Sequence, residues 1–501
     1  MESTLRMNPN QLVQFLQKNP AEFTREDIVK YVRENDIKMI KFMYPAEDNR
    51  LKSLNFVINT EDYLQSILTY GERVDGSSLF PSFIEAGNSD LYVIPRYSTA
   101  FRDPFDEIPT LTLLASFFDK EGNPLQSSPE NALRKACEEF TKTTGMEFYA
   151  MGELEYYVIS EDTGLFHASD QKGYHESAPF AKFNDFRTEC MYMIAQCGGQ
   201  IKYGHNEVGN FTLDEKIYEQ NEIEFLPIPA MQAADNLMIA KWVIRTLASK
   251  KGYDVTFAHK ITAGKAGSGL HIHFKIMKDG ENMMTCDGKL SDIAKKAIAG
   301  ILENADAITA MGNKVPTSYF RLVPHQEAPT SICWGDRNRS VLIRVPLGWT
   351  GEKDMCSQVN VNEVPLKGDM PQKQTVELRS ADCSADIYQL LAAMVVAARK
   401  GFEMEDALKK ADDMYVSVNI HNDENKEKLA SLKSLPDSCV ASAEALKQKR
   451  GVFEEKEVFS PRLIDGIIDK LMAYDDLELR SVVNNDHKQM MKQVKKYWHC
   501  G

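Results

Sequence analysis

Charged residues and histidines recur in pairs, two positions apart, within segments of this sequence that otherwise look like β-strands. The pairs are Glu153 and Glu155, Glu222 and Glu224, His271 and His273, Arg337 and Arg339, and Glu377 and Arg379. Successive side chains of a strand point to opposite faces of a sheet, so the residues of each pair share one face. A single pair is typical of the solvent face of a half-buried strand. The whole set instead predicts that carboxylates and a histidine converge on one site.

Such a site has the composition that hard divalent cations prefer. Carboxylates with few histidines and no cysteine suit Mg²⁺ or Mn²⁺, which act on phosphates. The C-terminal half also contains four arginines that suit the same chemistry: Arg321, Arg339, Arg344 and Arg379. Phosphoryl transfer needs both kinds of group, because metal ions bridge the phosphates and guanidinium groups stabilise the charge on the transferred group.

The glycine-rich segment 264–269 (GKAGSG) precedes the histidine pair. Its three glycines would let a ligand approach the backbone closely, although a plain turn has the same composition. The segment is not a P-loop, because Ala266 follows the lysine where Ser or Thr is required and the upstream glycine is missing. Protein-kinase loop signatures are absent as well. If the chain uses ATP, it must bind the nucleotide with a fold other than that of P-loop proteins or protein kinases.

Hydrophobic patterning predicts the elements that must position these residues. Residues 1–34 have the pattern of short helices, and Thr24 is predicted to cap one of them because acidic residues follow it. Strands are predicted near 37–43, 51–58, 91–95 and 110–118. The turn-rich segment 119–124 (DKEGNP) then indicates a domain boundary.

Beyond that boundary, strands and helices are mixed in a much larger body. Helices are predicted over 129–144, 185–197, 231–251, 290–309 and 384–399. Strands are predicted over 147–159, 254–260 and 270–277, and near 339–346 and 374–380. This order predicts an α+β protein with an N-terminal helical extension (1–34), a small mostly-β domain (35–122) and a large catalytic domain (123–501) whose last region (402–501) is helical.

The composition limits the kinds of partner and compartment. The 501 residues carry 59 Lys and Arg against 73 Asp and Glu, a net charge of −14, which argues against binding to nucleic acid or to an anionic membrane. The nine cysteines include no C-x-x-C pair, so neither a thiolate zinc site nor a disulfide framework is expected. The first residues show neither the apolar region nor the cleavage site of a leader peptide, so none is expected, and the sequence has no uncharged apolar stretch of about 20 residues. We therefore expect a cytoplasmic protein.

The motifs that contain the candidate residues resemble those of glutamine synthetase of the bacterial class I type, in that family's order. The resemblance extends from about residue 35 to residue 400. The matching motifs are 74–78 (VDGSS), 152–155 (GELE), 207–208 (EV) with 220–223 (QNEI), 267–273 (GSGLHIH), 321–324 (RLVP) with 327–329 (EAP), 337–340 (RNRS) with 343–346 (IRVP), and 377–379 (ELR). So many motifs in one order predict membership of this family.

The resemblance implies a fold and an assembly. The fold would be α+β, with an N-terminal β-grasp domain and a C-terminal glutamine synthetase/guanido kinase-like catalytic domain built on a curved antiparallel sheet. The N-terminal domain of one subunit would pack on the catalytic domain of the next, in two stacked six-membered rings that form a homododecamer. Each active site would therefore lie between two subunits.

The resemblance also implies roles for individual residues. One site for Mg²⁺ or Mn²⁺ would use Glu155, Glu207 and Glu222, and the second would use Glu153, His271 and Glu377. ATP would be bound by His273, Glu207, Arg339 and Arg344. Glutamate would be bound by Glu155, Gly267, Arg321, Glu327 and Arg379. The catalytic residues would be Asp75, Glu327, Arg339 and Arg344, with Asp75 supplied by the neighbouring subunit to the ammonium site and Glu327 on a flap that closes over the intermediate.

The implied activity is that of glutamate–ammonia ligase, an enzyme of nitrogen metabolism that makes glutamine from glutamate and ammonium. A carboxylate is a poor electrophile, so ATP first phosphorylates the γ-carboxylate of glutamate, and ammonia then attacks the acyl phosphate. Carboxylates at the amine site would take a proton from ammonium, which is not itself a nucleophile. Closure of the flap would protect the acyl phosphate from water.

Departures from the family's motifs leave two other functions open. Arg96, Ala266 and His325 replace residues that are usual in the family. A γ-glutamyl-amine or polyamine ligase would line its amine pocket with apolar side chains, whereas Asp75 and Glu327 favour ammonium. A non-catalytic ring-forming homologue would be expected to lose metal ligands, and all six are present in this sequence.

Overall fold

A computed structural model of the chain describes residues 2–84, 89–323, 328–348, 354–364, 373–420, 422–483 and 486–500. The predicted flap residue Glu327 and its neighbour His325 lie outside these ranges. Within them, every helix is too short or too polar to cross a membrane.

In the described part of the chain, the strands form an N-terminal sheet, a large sheet and a small hairpin. The N-terminal sheet contains β1 (Met39–Pro45), β2 (Leu51–Val57), β3 (Glu72–Asp75), β4 (Asp90–Pro95), β5 (Phe101–Arg102) and β6 (Thr110–Phe118). The large sheet contains β7 (Glu147–Glu161), β8 (Ile201–Leu213), β9 (Lys216–Phe225), β10 (Ile228–Pro229), β11 (Asp254–Thr256), β12 (Leu270–Lys278), β13 (Glu281–Asn282), β16 (Trp334–Asp336), β17 (Ile343–Val345) and β18 (Val376–Leu378). The hairpin consists of β14 (Thr285–Cys286) and β15 (Lys289–Leu290).

Helices precede, connect and follow these sheets. In the first third of the chain they are α1 (Glu2–Met7), α2 (Gln11–Leu16), α3 (Arg25–Glu34), α4 (Glu61–Tyr70), α5 (Gly76–Leu79) and α6 (Pro129–Thr144). The middle contains α7 (Asn184–Gln196), α8 (Ala230–Lys251), α9 (Asp292–Glu303), α10 (Ala305–Gly312) and α11 (Met355–Val359). The C-terminal region contains α12 (Ile387–Glu403), α13 (Ala407–Asp413), α14 (Lys426–Ser431), α15 (Cys439–Glu454), α16 (Pro461–Met472), α17 (Leu479–Val483) and α18 (His487–Val494).

The N-terminal region has the predicted helices and strands. Its sheet has the strand order β2-β1-β6-β4-β3, with β5 beside β6, and β1 pairs parallel with β6. Thr24 caps α3 as predicted: its hydroxyl accepts a hydrogen bond from the backbone N–H of Asp27, and the Asp27 carboxylate accepts one from the N–H of Thr24. This reciprocal capping box satisfies two backbone donors at the start of the helix.

The large sheet has the strand order β16-β17-β18-β12-β7-β9-β8, so β7 lies near its middle. One face of β7 packs on α8. Leu154 and Tyr156 on this face are fully buried, and a Cβ atom at Gly152 would come within 2.7 Å of the Leu237 side chain in α8. Residues that alternate with these, such as Glu153, must point to the opposite face. The helical layer therefore leaves the other face of the sheet for polar side chains.

Two predicted elements differ from the observed ones. The helix predicted over 290–309 is interrupted at Asn304, whose non-helical backbone ends α9 and precedes α10. The strand predicted over 254–260 ends at Thr256, because the Thr256 hydroxyl accepts the backbone N–H of Ala258 in place of a neighbouring strand.

The prediction that Arg337 and Arg339 form a strand pair is wrong. Strand β16 ends at Asp336, and Arg337 has a positive φ of 53°. The side chain of Asn338 then accepts hydrogen bonds from the backbone N–H and hydroxyl of Ser340, which is the bonding of a turn. In a turn the two arginines need not share a face, and their positions follow from the tertiary structure.

Candidate active site

The acidic and histidine pairs on β7, β9 and β12 converge on the open face of the large sheet. The strand register places these side chains directly opposite one another: His271 with Glu153, Glu153 with Glu224, Glu155 with Glu222, and His273 with Glu377. Side chains at facing positions of neighbouring strands lie about 5 Å apart. Alternation along each strand and register between strands therefore build one continuous polar surface.

Glu153 lies between two histidines. Its Oε2 is 2.9 Å from His271 Nδ1, and its Oε1 is 2.8 Å from His273 Nε2. Burial disfavours the charged form of Glu153, but the charge of His273 and the hydrogen bonds from both rings outweigh burial and hold its pKa well below the usual value. Glu153, His273 and Glu377 each offer a donor atom within 4.8 Å of the others. These three residues could hold one cation, and His271 Nδ1 lies only 3.5 Å from Glu377 Oε1.

Glu377 joins this acidic group to two arginines. Its side chain is fully buried, Arg344 Nη1 donates to its Oε2 at 2.9 Å, and Arg379 Nη1 donates to its Oε1. Burial opposes ionisation of Glu377, but the charge of Arg379 outweighs it, so the pKa lies below the usual value. This end of the site combines anionic ligands with guanidinium groups that could contact phosphate oxygens.

Glu155 is fixed by neutral donors. Gln220 Nε2 donates to its Oε2 at 2.8 Å, and the backbone N–H of Gly269 donates to the same oxygen at 3.0 Å. Burial and the nearby charge of Glu207 raise the pKa of Glu155 to about 8. Hydrogen bonds therefore hold the Glu155 carboxylate in position, while burial and the charge of Glu207 oppose its ionisation.

Glu222 shows the same electrostatic conflict more strongly. It faces His205 across the sheet, with His205 Nε2 3.3 Å from its Oε1. Burial, followed by the charges of Glu153, Glu155 and Glu207, raises the pKa of Glu222 well above the usual value. A divalent cation among these oxygens would remove the repulsion. Carboxylate oxygens with an imidazole are a donor set that fits Mg²⁺ or Mn²⁺.

Arg321 is buried beneath the glycine-rich loop. It donates hydrogen bonds to three backbone carbonyls, those of Arg379, Ser380 and Ala381, at 3.1 to 3.3 Å. Its Nη2 also donates to His271 Nε2 at 3.0 Å, which leaves Nδ1 as the protonated nitrogen that donates to Glu153. Burial lowers the pKa of His271, in keeping with this neutral ring.

These side chains line a single cavity of about 1110 Å³. Its walls include all the predicted site residues of the described chain except one: Glu153, Glu155, Glu207, Glu222, Gly267, His271, His273, Arg321, Arg339, Arg344, Glu377 and Arg379. The exception is Asp75, which is exposed at the end of β3 and accepts hydrogen bonds from Ser77 and Ser78. Within one chain, Asp75 is not brought together with the other residues.

Sequence reasoning missed several residues of the cavity, three of which contact its acidic and histidine side chains. Gln220 bonds both Glu155 and the backbone oxygen of Gly267, and Lys202 pairs with Glu224 at 2.7 Å. Gln220 precedes Glu222 on β9 by two positions, so the alternation that revealed the acidic pair could have revealed Gln220 too. The third residue, Thr375, contacts His273 Nδ1 at 2.9 Å, and its position before β18 gave no such signal.

The fold and the cavity define an α+β protein with carboxylates, histidines and arginines on the open face of a mostly antiparallel sheet. The chain belongs to the glutamine synthetase family, because residues 126–491 match the family described as "Glutamine synthetase, catalytic domain". It is 29% identical to a glutamine synthetase of Frankia alni, over 91% of this chain and 97% of that protein. It is 32% identical to a glutamine synthetase of Pyrococcus furiosus, over 78% of this chain and 81% of that protein.

Solved structures share the fold. A glutamine synthetase of Plasmodium falciparum superposes with a TM-score of 0.73 at 19% identity and covers 91% of this chain and 97% of its own. A GmaS–ADP complex superposes with a TM-score of 0.71 at 19% identity and covers 91% of this chain and 99% of its own. The predicted α+β fold class is confirmed by these superpositions and by the family match.

Proposed function

We propose that this protein is an ATP-dependent ligase that makes glutamine from glutamate and ammonia through a γ-glutamyl phosphate. The observation that carries the proposal is the single cavity in which acidic and histidine side chains from five strands adjoin buried arginines. The family membership and the names of the relatives support the same reaction.

The carboxylates would hold two cations, Mg²⁺ or Mn²⁺. We assign Glu155, Glu207 and Glu222 to one site and Glu153, His271 and Glu377 to the other. The raised pKa values of Glu155 and Glu222 support the first assignment, because their mutual repulsion needs a compensating positive charge. When bound, the cations would neutralise the phosphates of ATP and favour transfer of the γ-phosphoryl group.

The arginines would act on the anionic parts of the substrates. Arg344 and Arg339 would bind phosphate oxygens, with His273 and Glu207 at the nucleotide side, and Arg379 would serve both phosphate and glutamate. Arg321 would bind the α-carboxylate of glutamate and Gly267 its amino group. The backbone contacts of Arg321 support this role, because they fix its guanidinium in one orientation before substrate enters.

The two chemical steps, phosphorylation of glutamate and amination of the acyl phosphate, would take place at different ends of the cavity. The γ-carboxylate oxygen of glutamate attacks the γ-phosphorus of ATP, the bond to ADP breaks, and an acyl phosphate forms. Ammonium loses a proton to a carboxylate, and ammonia attacks the acyl carbon with loss of phosphate. We assign Glu327 and Asp75 to this amine step. Because Asp75 lies away from the cavity of its own chain, we assign it to the active site of a neighbouring subunit.

We also propose an assembly, a subtype of the family and domain boundaries that fit this assignment. A ring of subunits would bring Asp75 of one N-terminal domain to the cavity of the next catalytic domain, as in a class I dodecamer of two stacked hexagons. We divide the chain at 34/35 and 122/123. Relatives from Frankia and the archaeal Pyrococcus do not distinguish the bacterial class I type from others.

The proposed function is tested by phosphate release from ATP with glutamate and a set of amines. Ammonium should give rapid release and glutamine, and methylamine, ethanolamine and putrescine should give little. Release that requires an organic amine would replace this assignment with a γ-glutamyl-amine ligase. No release with any amine, at saturating Mg²⁺ or Mn²⁺, would favour a non-catalytic homologue. Glu377→Gln is the background control.

A further inference from the structure

A second cavity lies apart from the active site. Its volume is about 320 Å³, and it shares no lining residue with the large cavity. Three separate parts of the chain form its walls: the turn 47–50 after β1, residues 314–315 with Ser384, and the C-terminal region with Lys470, Tyr474 and 495–500. The site described above uses none of these residues, so the cavity needs an explanation of its own.

Positive charge dominates the lining. Five lysine or arginine side chains face two carboxylates; they are Arg50, Lys314, Lys470, Lys495 and Lys496, against Glu47 and Asp48. Lys470 pairs with Glu47 at 3.3 Å and Arg50 with Asp48 at 3.6 Å. Among the described residues, the other three lysines have no carboxylate within 4.0 Å. Among the described lining residues there is therefore a surplus of about three positive charges, which a bound anion could neutralise.

Lys314 makes the cavity more than a basic patch of surface. Lys314 lines the cavity although the residue is only 6% exposed, and its ammonium donates to Gln389 Oε1 at 2.9 Å. An ammonium has three donors, and a buried charge is costly unless it is paired. Burial lowers the pKa of Lys314 to about 8, and the more distant Asp386 only partly opposes this. An anion in the cavity would supply the missing partner.

The opposite wall is aromatic and anchored. Tyr474 and Tyr497 meet edge to face at 6.0 Å, and Trp498 lies beside them in the lining. The end of the chain is fixed to the catalytic body, because Trp498 Nε1 donates to Asp254 at 3.1 Å and Arg245 donates to the carbonyl of Cys500 at 2.9 Å. These aromatic side chains lower the local polarity, which strengthens the attraction between the lysines and an anion.

We propose that this cavity binds a small, multiply charged anion through phosphate or carboxylate oxygens, with Lys314 at its floor and Lys495 and Lys496 at its rim. The volume admits a metabolite but not a macromolecule. The site is independent of the proposed ligase activity, because it shares no residue with the active site.

Trp498 provides a local signal for the test. Inorganic phosphate and citrate are titrated separately into the full-length protein without divalent metal, and the tryptophan fluorescence is recorded. A saturable change is expected with at least one anion, and Trp498→Phe should remove it. A response to phosphate alone would assign phosphate ligands, and a response to citrate alone would assign carboxylate ligands.

Charge variants decide where the anion binds. Lys314→Gln and the double variant Lys495→Ala/Lys496→Ala should each weaken the response by about tenfold or more, since each removes charge-assisted hydrogen bonds. Lys488→Ala, an exposed lysine of α18 outside the cavity, and Arg344→Gln, in the active site, should leave it unchanged. The rim lysines are exposed, so their variants should fold. The proposal is overturned if neither anion gives a saturable change, or if both lysine variants respond like the wild type.

Discussion

The side-chain amide of Gln220 donates a hydrogen bond to Oε2 of Glu155 at 2.8 Å. The same nitrogen is 3.0 Å from the backbone oxygen of Gly267, and the backbone N–H of Gly209 donates to Gln220 Oε1 at 3.0 Å, which fixes the orientation of the amide. One residue thus connects a proposed metal ligand to the loop proposed to bind glutamate.

Gln220→Leu should therefore impair metal and glutamate binding together. Loss of a residue that positions a metal ligand typically costs 10- to 100-fold in affinity or activity. We expect Mn²⁺ affinity to fall by about tenfold and KM for glutamate to rise, with a smaller change in KM for ATP. Steady-state kinetics and Mn²⁺ titration measure these effects. Gln126→Leu, at an exposed site, is the control; equal effects on glutamate and ATP would contradict the positioning role.

Glu222→Gln should weaken metal binding without destabilising the metal-free protein. The change removes a ligand, so Mn²⁺ affinity measured by calorimetry should fall by about tenfold or more. It also removes a buried carboxyl group whose ionisation four other carboxylates oppose, so the unfolding temperature without metal should stay the same or rise. Glu161→Gln, exposed at the end of the neighbouring strand β7, should alter neither property. A variant that binds Mn²⁺ like the wild type would disprove the assignment of Glu222.

Arg344→Gln and Arg337→Gln should differ sharply in activity. Arg344 donates to Glu377 inside the large cavity, whereas Arg337 lies in the turn after β16 and does not line that cavity. Loss of a group that stabilises charge in the transition state typically costs about 10² to 10³ in kcat. We expect that loss for Arg344→Gln and near-normal rates for Arg337→Gln. Similar losses in both variants would contradict the distinction.

His259 should make the stability of the protein depend on alkaline pH. The ring is fully buried, with Nδ1 3.5 Å from Asp382 Oδ1 and Nε2 2.6 Å from the hydroxyl of Thr317. Burial would lower the pKa of His259, but the charge of Asp382 raises it to about 9. Because this value exceeds the unfolded value of about 6.5, the stabilisation is complete below about pH 6.5 and is lost as the pH rises through about 9.

Urea unfolding at pH 6, 7.5 and 9 tests this dependence. The wild type should lose stability over that range, and His259→Asn should be less stable at pH 6 but show a flatter profile. His167→Asn, at a partly exposed position, should keep the wild-type slope. If wild type and His259→Asn lose stability in parallel, His259 is not the group that titrates.

Two inactive variants should restore activity when they assemble together. If Asp75 acts in the active site of a neighbouring subunit, an Asp75→Asn chain impairs its neighbour's site and a Glu377→Gln chain impairs its own site. In a mixed ring, some sites then receive both intact residues. Random co-assembly of the co-expressed chains should then give about a quarter of wild-type activity, since each site draws one residue from each of two subunits. Asp90→Asn, which faces Asp75 on β4, should be active alone. A mixture as inactive as its parts would place Asp75 outside the neighbouring site.

Several strands, including β7 and β12, and the polar face of the active site were predictable from local geometry. Alternation along a strand is a property of the backbone, so Glu153 with Glu155 and His271 with His273 could be assigned to one face without a structure. Thr24 capped its helix as predicted because a cap involves only residues three positions apart. The resemblance to a family rested on short motifs and needed no tertiary contacts either.

The tertiary structure decided how those local features meet. Register between strands depends on loops and bulges, and Glu207 lies where the pairing of β8 with β9 shifts between Asn206 and Asn210. The turn at Arg337 ended a predicted strand pair. The cavity around Lys314 joins segments far apart in the chain, so no window of sequence could contain it. Sequence alone determined which side chains could do the chemistry, whereas long-range packing decided which of them share a cavity.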